Sequence, residues 1–193
     1  MTTNPQASID HKIDFALIIG VNNANPNGDP LNGNRPRTDF AGNGEITDVC
    51  LKRKIRDRLQ ESDEAIFVQT NDRRTDDYTS LKDRADGILG KNTLDSKKTK
   101  RDDAVQQICK QWFDVRAFGQ VFAFANDDKS AEGVSIAIRG PVTIQSAFSL
   151  QPVDITSTQI TKSVNSKDNS DIKKGSDTMG MKHRIDEGIY VTY

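Results

Sequence analysis

Cationic side chains recur in this sequence at spacings that let several of them meet one anion. Arg35 and Arg37 stand in a stretch dense in asparagine, glycine and proline, and Lys52, Arg53, Lys54, Arg56 and Arg58 crowd together against the one carboxylate of Asp57. The chemistry open to such groups is electrostatic. Guanidinium and ammonium donors neutralise phosphate oxygens, and backbone N–H groups turned outward by glycine and asparagine act beside them. At about 100° per residue, Lys52, Arg53 and Arg56 fan over one side of a helix and meet a phosphate backbone together. A second cluster comprises Lys97, Lys98, Lys100 and Arg101. A solvated helix face with i,i+4 pairing is the plainer reading of either run.

Other chemistry is poorly served. Of the two histidines, His11 adjoins a terminus and His183 stands at the base of a polar arm, neither with an evident partner. Ser135 in Gly133-Val134-Ser135-Ile136-Ala137 lies among alternating strand residues, where a nucleophile elbow needs a strand-to-helix turn. Ala85 to Asn92 lacks the first glycine and the final Ser or Thr of a phosphate loop. Gly87-Ile88-Leu89-Gly90 fits a single-strand clamp, but a turn is the better reading. Asn23, Asn25, Asn27, Gly28 and Asp29 mimic a calcium loop that fails at Asn34, where a bidentate Glu is needed. Cys50 and Cys109 support neither a zinc site nor a disulfide framework. No catalytic residue, metal or cofactor is expected.

The elements that must position the basic groups follow from pattern. With 193 residues, 34% hydrophobic and 28% charged, the chain is long enough for one compact domain with insertions, its apolar residues confined to short runs. The balance of 27 Lys plus Arg against 28 Asp plus Glu excludes a uniformly basic coat, so any polyanion must meet a local patch. The longest apolar run, Phe15 to Ile19, is too short to span a bilayer and the first residues lack signal-peptide character. A soluble, cytoplasmic protein without a membrane partner is expected.

Ile13 to Val21 reads as a central strand, and Asn22 to Gly44 as a long structured loop of functional character. Thr47 caps a helix whose Leu51, Ile55 and Leu59 form a buried stripe. Residues 61–100 read as an insertion. A helix spans about Asp102 to Trp112, burying Val105, Ile108 and Trp112. Strand character returns from Asp114 to Gln120, at Val134 to Ile138, and from Val142 to Phe148. Residues 154–184 read as a projecting hairpin with its tip at Asn165 to Asp177, one that gains order by docking on a neighbour or ligand. Gly188 to Tyr193 is a strand start. A domain rarely ends inside its sheet, so the fold is expected to continue beyond it.

The order of these blocks is itself informative. It runs from Asn25-Pro26-Asn27-Gly28-Asp29-Pro30 through Thr47–Arg56, Asp114–Gly119 and Ser135–Val142 to Thr178–His183 and Gly188–Val191. In this order the chain closely resembles the seventh CRISPR-associated protein family, type I-C (Dvulg) branch, the Cascade backbone subunits. The resemblance implies an α+β fold: a modified RNA-recognition-motif (ferredoxin-like) palm over about 12–60, 101–150 and 185–193, a finger-like insertion at 61–100, and a β-hairpin thumb at 154–184. It implies copies stacked head to tail along a crRNA, thumbs reaching to the neighbouring copy, and guide segments free to pair with target DNA, alongside other Cascade subunits.

Contacts that ignore sequence go to phosphate and sugar. The expected RNA-binding residues are Arg35 and Arg37 in the loop, Lys52, Arg53, Lys54 and Arg56 on the first helix, Arg116 and Arg139 at strand positions, and Met179, Lys182 and His183 on the thumb. Ion pairs with aspartates remain open for Arg116 and Arg139, as does packing within the hairpin for Met179. Two rival functions stand beside this one. One is a metal-dependent RNase of the related type III class, using Asp29, Asp39 or Asp48. The other is a protein-only adaptor whose basic helix pairs with an acidic partner.

Overall fold

A computed structural model describes residues 9–90, 93–94, 98–124, 134–161 and 179–193. In chain order the strands are β1 (Leu17–Ala24), β2 (Gly28–Asp29), β3 (Arg35–Pro36), β4 (Asn43–Ile46), β5 (Gly119–Phe124), β6 (Val134–Arg139), β7 (Ala147–Pro152), β8 (Ile155–Thr161) and β9 (Met179–Thr192). The helices are α1 (Asp48–Glu61), α2 (Leu81–Leu89), α3 (Arg101–Gln111) and α4 (Phe113–Phe118). Two compact units result, Met1–Cys50 with Ile144–Tyr193, and Leu51–Thr143. No helix among the described residues is long and apolar enough to cross a membrane.

The first unit is built on an antiparallel sheet of order β1-β9-β7-β4, with β8 also pairing β9. β9 serves two partnerships. Its later part pairs with β1 from Ala24↔Ile185 to Leu17↔Thr192, and its earlier part pairs with β8 from Ile155↔Ile185 to Thr161↔Met179. Ile185, where the two ladders meet, is fully buried. Side chains alternate across the sheet as the pleat requires: Val21, Tyr190 and Thr192 are buried, while Ile18, Ile189 and Leu150 face solvent. The hairpin tip expected at Asn165 to Asp177 lies outside the described residues, as do Lys97 and Gly133.

Two strand expectations are corrected here. The first strand begins at Leu17 rather than Ile13 and stands at the edge of the sheet among the described residues, not at its centre. Ile13 and Phe15 lie outside the described ladder and are exposed. Val142 to Ser146 is not a strand either. That segment is tied to the end of β9 by Thr192 Oγ1 donating to the Gln145 carbonyl at 2.6 Å, and Ile144 alone turns inward.

The second unit is held by an aromatic centre. The Phe67 ring lies 4.6 Å from that of Trp112 and 4.9 Å from that of Phe122, separations that reward tilted rings. Around them pack Ala85, Leu94, Ala104, Ile108, Val115 and Ile136. Arg84 on α2 is buried among these apolar groups because Asp76 accepts from it twice, at 2.7 and 2.9 Å, and the Phe67 carbonyl accepts a third bond at 2.9 Å.

The expectation of a strand from Asp114 is also corrected, since Phe113–Phe118 is the helix α4. Trp112 has extended backbone between α3 and α4, and it is buried together with Ile108 of α3 and Val115 of α4. Gly119, at φ +80°, then switches the chain into β5. A Cβ there would run into the Ile138 carbonyl and the Gly140 nitrogen, so only glycine allows the β5–β6 pair to close.

Candidate nucleic-acid interface

Side chains of the asparagine-rich loop tie it to its own backbone and to Thr47 at the start of α1. Asn25 Nδ2 donates to the Asn34 carbonyl at 2.7 Å, and Asn27 Oδ1 accepts from the Thr47 amide and hydroxyl at 3.0 and 2.9 Å. Gly33 and Asn34 take left-handed conformations at φ +59° and +58°. Asp29 accepts from Leu31 N at 3.1 Å and from Arg37 at 3.2 Å. The asparagines therefore shape a turn, and among the described residues no group of three metal-binding side chains exists. Arg37 is half-buried on Asp29, whereas Arg35, opposite Asp29 in β3, makes no ion pair among the described residues. Thr47 also caps α1, accepting from Cys50 N at 3.3 Å.

On α1 the structure separates cations that the sequence groups. Arg56 donates through Nε to the fully buried Asp114 at 2.9 Å, and its guanidinium carbon sits 5.3 Å from the Phe118 ring centre. Arg53 pairs with Asp57 at 2.6 Å and donates to the Val68 carbonyl and to Thr70 Oγ1. The expected exposed fan of Lys52, Arg53 and Arg56 is thus corrected: residues 68–70 and α4 engage both arginines. Lys54 is exposed, and Lys52 half-buried.

Arg116 lies on a helix rather than at a strand position. It stacks 4.9 Å over the Phe113 ring and donates to the Cys109 carbonyl at 2.8 Å. The Cys109 thiol is shifted up by burial, opposed by the Arg116 charge. Arg139 is exposed on β6 opposite Gly119 and makes no ion pair among the described residues.

The β8–β9 ribbon sorts its residues by face. Met179, Met181 and His183 alternate with Gly180 and Lys182, so Met179 and His183 share one face and Lys182 occupies the other. Gln159 Nε2 lies 2.9 Å from Met179 Sδ, and Ser157 Oγ lies 2.8 Å from His183 Nδ1. Met181, 54% exposed between these two, was not among the expected residues, although its i, i+2, i+4 spacing with them is visible in the sequence. Arg35, Arg37, Met179, Lys182 and His183 belong to the first unit, and Lys52, Arg53, Lys54, Arg56, Arg116 and Arg139 to the second.

The carboxylates considered for RNA cleavage have local occupations. Asp39 accepts from Ala41 N, Asn43 N and Asn43 Nδ2, and the Asn43 side chain leads in drawing its pKa below the usual carboxylate value. Asp29 holds Arg37, and Asp48 stands in the first turn of α1, where a carboxylate is favoured by the helix dipole.

Comparison with known proteins adds the following. Residues 11–193 match the family described as CRISPR-associated protein Cas7. A curated relative, the CRISPR-associated protein Cas7 of Haloferax volcanii, is 33% identical over 124 residues, which are 63% of this chain and 35% of that protein. A chain of a solved structure, a CRISPR RNA-guided surveillance complex in a pre-nicking state, superposes with a TM-score of 0.49 at 16% identity, covering 92% of this chain and 59% of that one. The sequence thus spans about a third of the curated relative it matches.

Proposed function

This chain belongs to the CRISPR-associated protein Cas7 family, and from that premise we propose that it is the crRNA-binding backbone subunit of a type I-C Cascade interference complex. In this reading it polymerises head to tail along the spacer of the guide and presents the guide to target DNA, in company with other Cascade subunits. The palm is a modified RNA-recognition motif over about 12–60, 101–150 and 185–193, the finger lies at 61–100, and the thumb at 154–184. It acts as a scaffold and not as an enzyme.

The observation that carries the reading is the match over residues 11–193. The exposed β8–β9 ribbon supports it, since its outer residues from Ser157 to Thr161 and Met179 to Lys182 all face solvent. A two-stranded ribbon of this kind gains little from folding alone and suits a surface completed by a ligand or a neighbouring copy. Head-to-tail stacking is a heterologous contact that need not close, as a ruler on a polymer requires.

The phosphate contacts fall to Arg35, Lys52, Lys54, Arg139 and Lys182. Arg37, Arg53, Arg56 and Arg116 act mainly by holding the surfaces that carry them, and Met179 and His183 meet bases of the guide. The test is to assemble the protein on a crRNA and view the product by electron microscopy, then add complementary RNA with Mg²⁺. A filament that leaves the RNA intact is expected. Evenly spaced cleavage products would overturn the scaffold reading, and absence of RNA binding at low salt would favour a protein-only adaptor.

A further inference from the structure

One apolar face of the first unit has no part in the surfaces above. β7 leaves β9 after Ser149↔Tyr190, where Pro152 pairs with Asn43 of β4 and the Val153 amide donates to the Gly42 carbonyl at 3.0 Å. β8 then joins β9 at Ile155↔Ile185. Between these points a groove of about 730 Å³ opens, lined by residues 150–154, residues 186–189 and residues 20–22 of β1. Directly opposed residues share a face of a sheet, so Ile18, Val191 and Phe148 form one row across three strands, and Gly20 and Ile189 begin the next. Leu150, two residues beyond Phe148, falls on the same face. Leu150 is 68% and Ile189 53% exposed, and Ile18 and Phe148 are exposed beside them. Apolar side chains gathered in this way mark an interaction surface, as scattered ones do not.

The rim of the groove is acidic. Asp154 and Glu187 are exposed and make no ion pair among the described residues, while Asp186 is shared between Arg184 at 3.4 Å and Thr156 Oγ1 at 2.8 Å. No lysine, arginine or histidine is among the residues that line it. Gly20 contributes no side chain, and a Cβ there would meet nothing within 4 Å, so the space beside Ile189 is open. We infer that this groove docks a segment of a protein partner that presents a large apolar side chain flanked by lysine or arginine. Burial of Leu150 and Ile189 supplies the affinity, and the carboxylates select the sign of the flanks and fix their register. A nucleic acid fits the charge badly, since its phosphates would approach Asp154 and Glu187 with no cation in the lining. None of the residues assigned to phosphate contact lines the groove, so the inference stands apart from the guide-binding reading.

The test selects short random peptides, displayed on phage, against the full chain and measures the enriched sequences as synthetic peptides by fluorescence anisotropy. They should carry a large apolar residue beside lysine or arginine. Their affinity should fall about tenfold in Asp154→Lys/Glu187→Lys. The same peptides with glutamate in place of their basic residues should prefer that variant to the unaltered chain, a reversal that misfolding does not produce. Gly20→Val places bulk in the open space at a strand position suited to a β-branched residue, so it should block the peptides without lowering the unfolding midpoint. Failure to enrich any peptide, enrichment of acidic ones, or selected peptides indifferent to these substitutions would overturn the inference. So would a loss of single-stranded RNA binding in Gly20→Val, which would assign the groove to nucleic acid. A dimer of the unaltered chain that Gly20→Val dissociates would overturn it in favour of a second copy.

Discussion

Arg56 Nε lies 2.9 Å from Asp114 Oδ2, and that carboxylate has no solvent exposure at all. Asp114 also accepts from the amides of Phe67 at 2.8 Å and Val68 at 3.2 Å, so one buried charge gathers α1, α4 and the segment between the first two helices. Removing the guanidinium strands the carboxylate in an apolar interior. Arg56→Ala should therefore cost about 3–5 kcal/mol, measured by urea denaturation. A loss below about 1 kcal/mol would show that Asp114 is satisfied by the two amides and that Arg56 is expendable to the fold.

How far the sequence could reveal this follows from particular residues. The Thr47 cap and the buried Leu51, Ile108 and Trp112 stand where local pattern implies, whereas Ile55, Leu59 and Val105, expected to be buried with them, are only half-buried. α4 is only six residues long and follows a break at the extended Trp112, so no helical period long enough to outweigh the local alternation marks it. Where a basic side chain ends is a tertiary matter. Arg53 and Lys54 are neighbours of like charge, yet one is bound to Asp57 and Thr70 and the other faces solvent. Asp114 is 58 positions from Arg56, and no local spacing announces that pair. The edge position of β1 depends likewise on which distant segment lies alongside it.

The contrast between Arg53 and Lys54 gives the second prediction. If the outer side of α1 meets a single strand, Lys54→Gln should lower the salt slope of single-stranded RNA binding by about 0.7 while leaving the unfolding midpoint unchanged. Arg53→Gln should instead lower the midpoint, because it releases Asp57 and the Val68 carbonyl together. A stability loss in Lys54→Gln without a change in slope would contradict this division of roles.

Tyr190 and Gly44 form a third test. Among the described residues the buried Tyr190 hydroxyl has no hydrogen-bond partner, and burial pushes its pKa up to about 12. A Cβ at position 44 would meet that hydroxyl. Tyr190→Phe removes an unsatisfied buried group and should raise stability by roughly 1 kcal/mol, whereas Gly44→Ala should lower it by about 1–3 kcal/mol. The double variant should recover part of the loss, since the two sites share one contact. The sign with pH is fixed: the stability due to the neutral phenol is complete below about pH 10 and is lost as pH climbs toward about 12. Alkaline denaturation should therefore be shallower in Tyr190→Phe, and an identical pH profile would disprove the assignment.

The last prediction concerns the two faces of the β8–β9 ribbon. Met179, Met181 and His183 stand on one face and Lys182 on the other, opposite Thr158. Thioether side chains offer polarizable apolar contact and carry no charge, so their partner on a guide strand is a base and not a phosphate. Met179→Ala/Met181→Ala should leave the salt slope for RNA unaltered and change the fluorescence of a base analogue placed at the thumb position. Lys182→Gln should do the reverse, lowering the slope by about 0.7 with the base signal intact. Because the faces are distinct, combining the two sets should give additive losses in binding free energy. A strong coupling between them would mean that the ribbon twists on binding to bring both faces to one nucleotide, and the separation seen in the free chain would not survive in the complex.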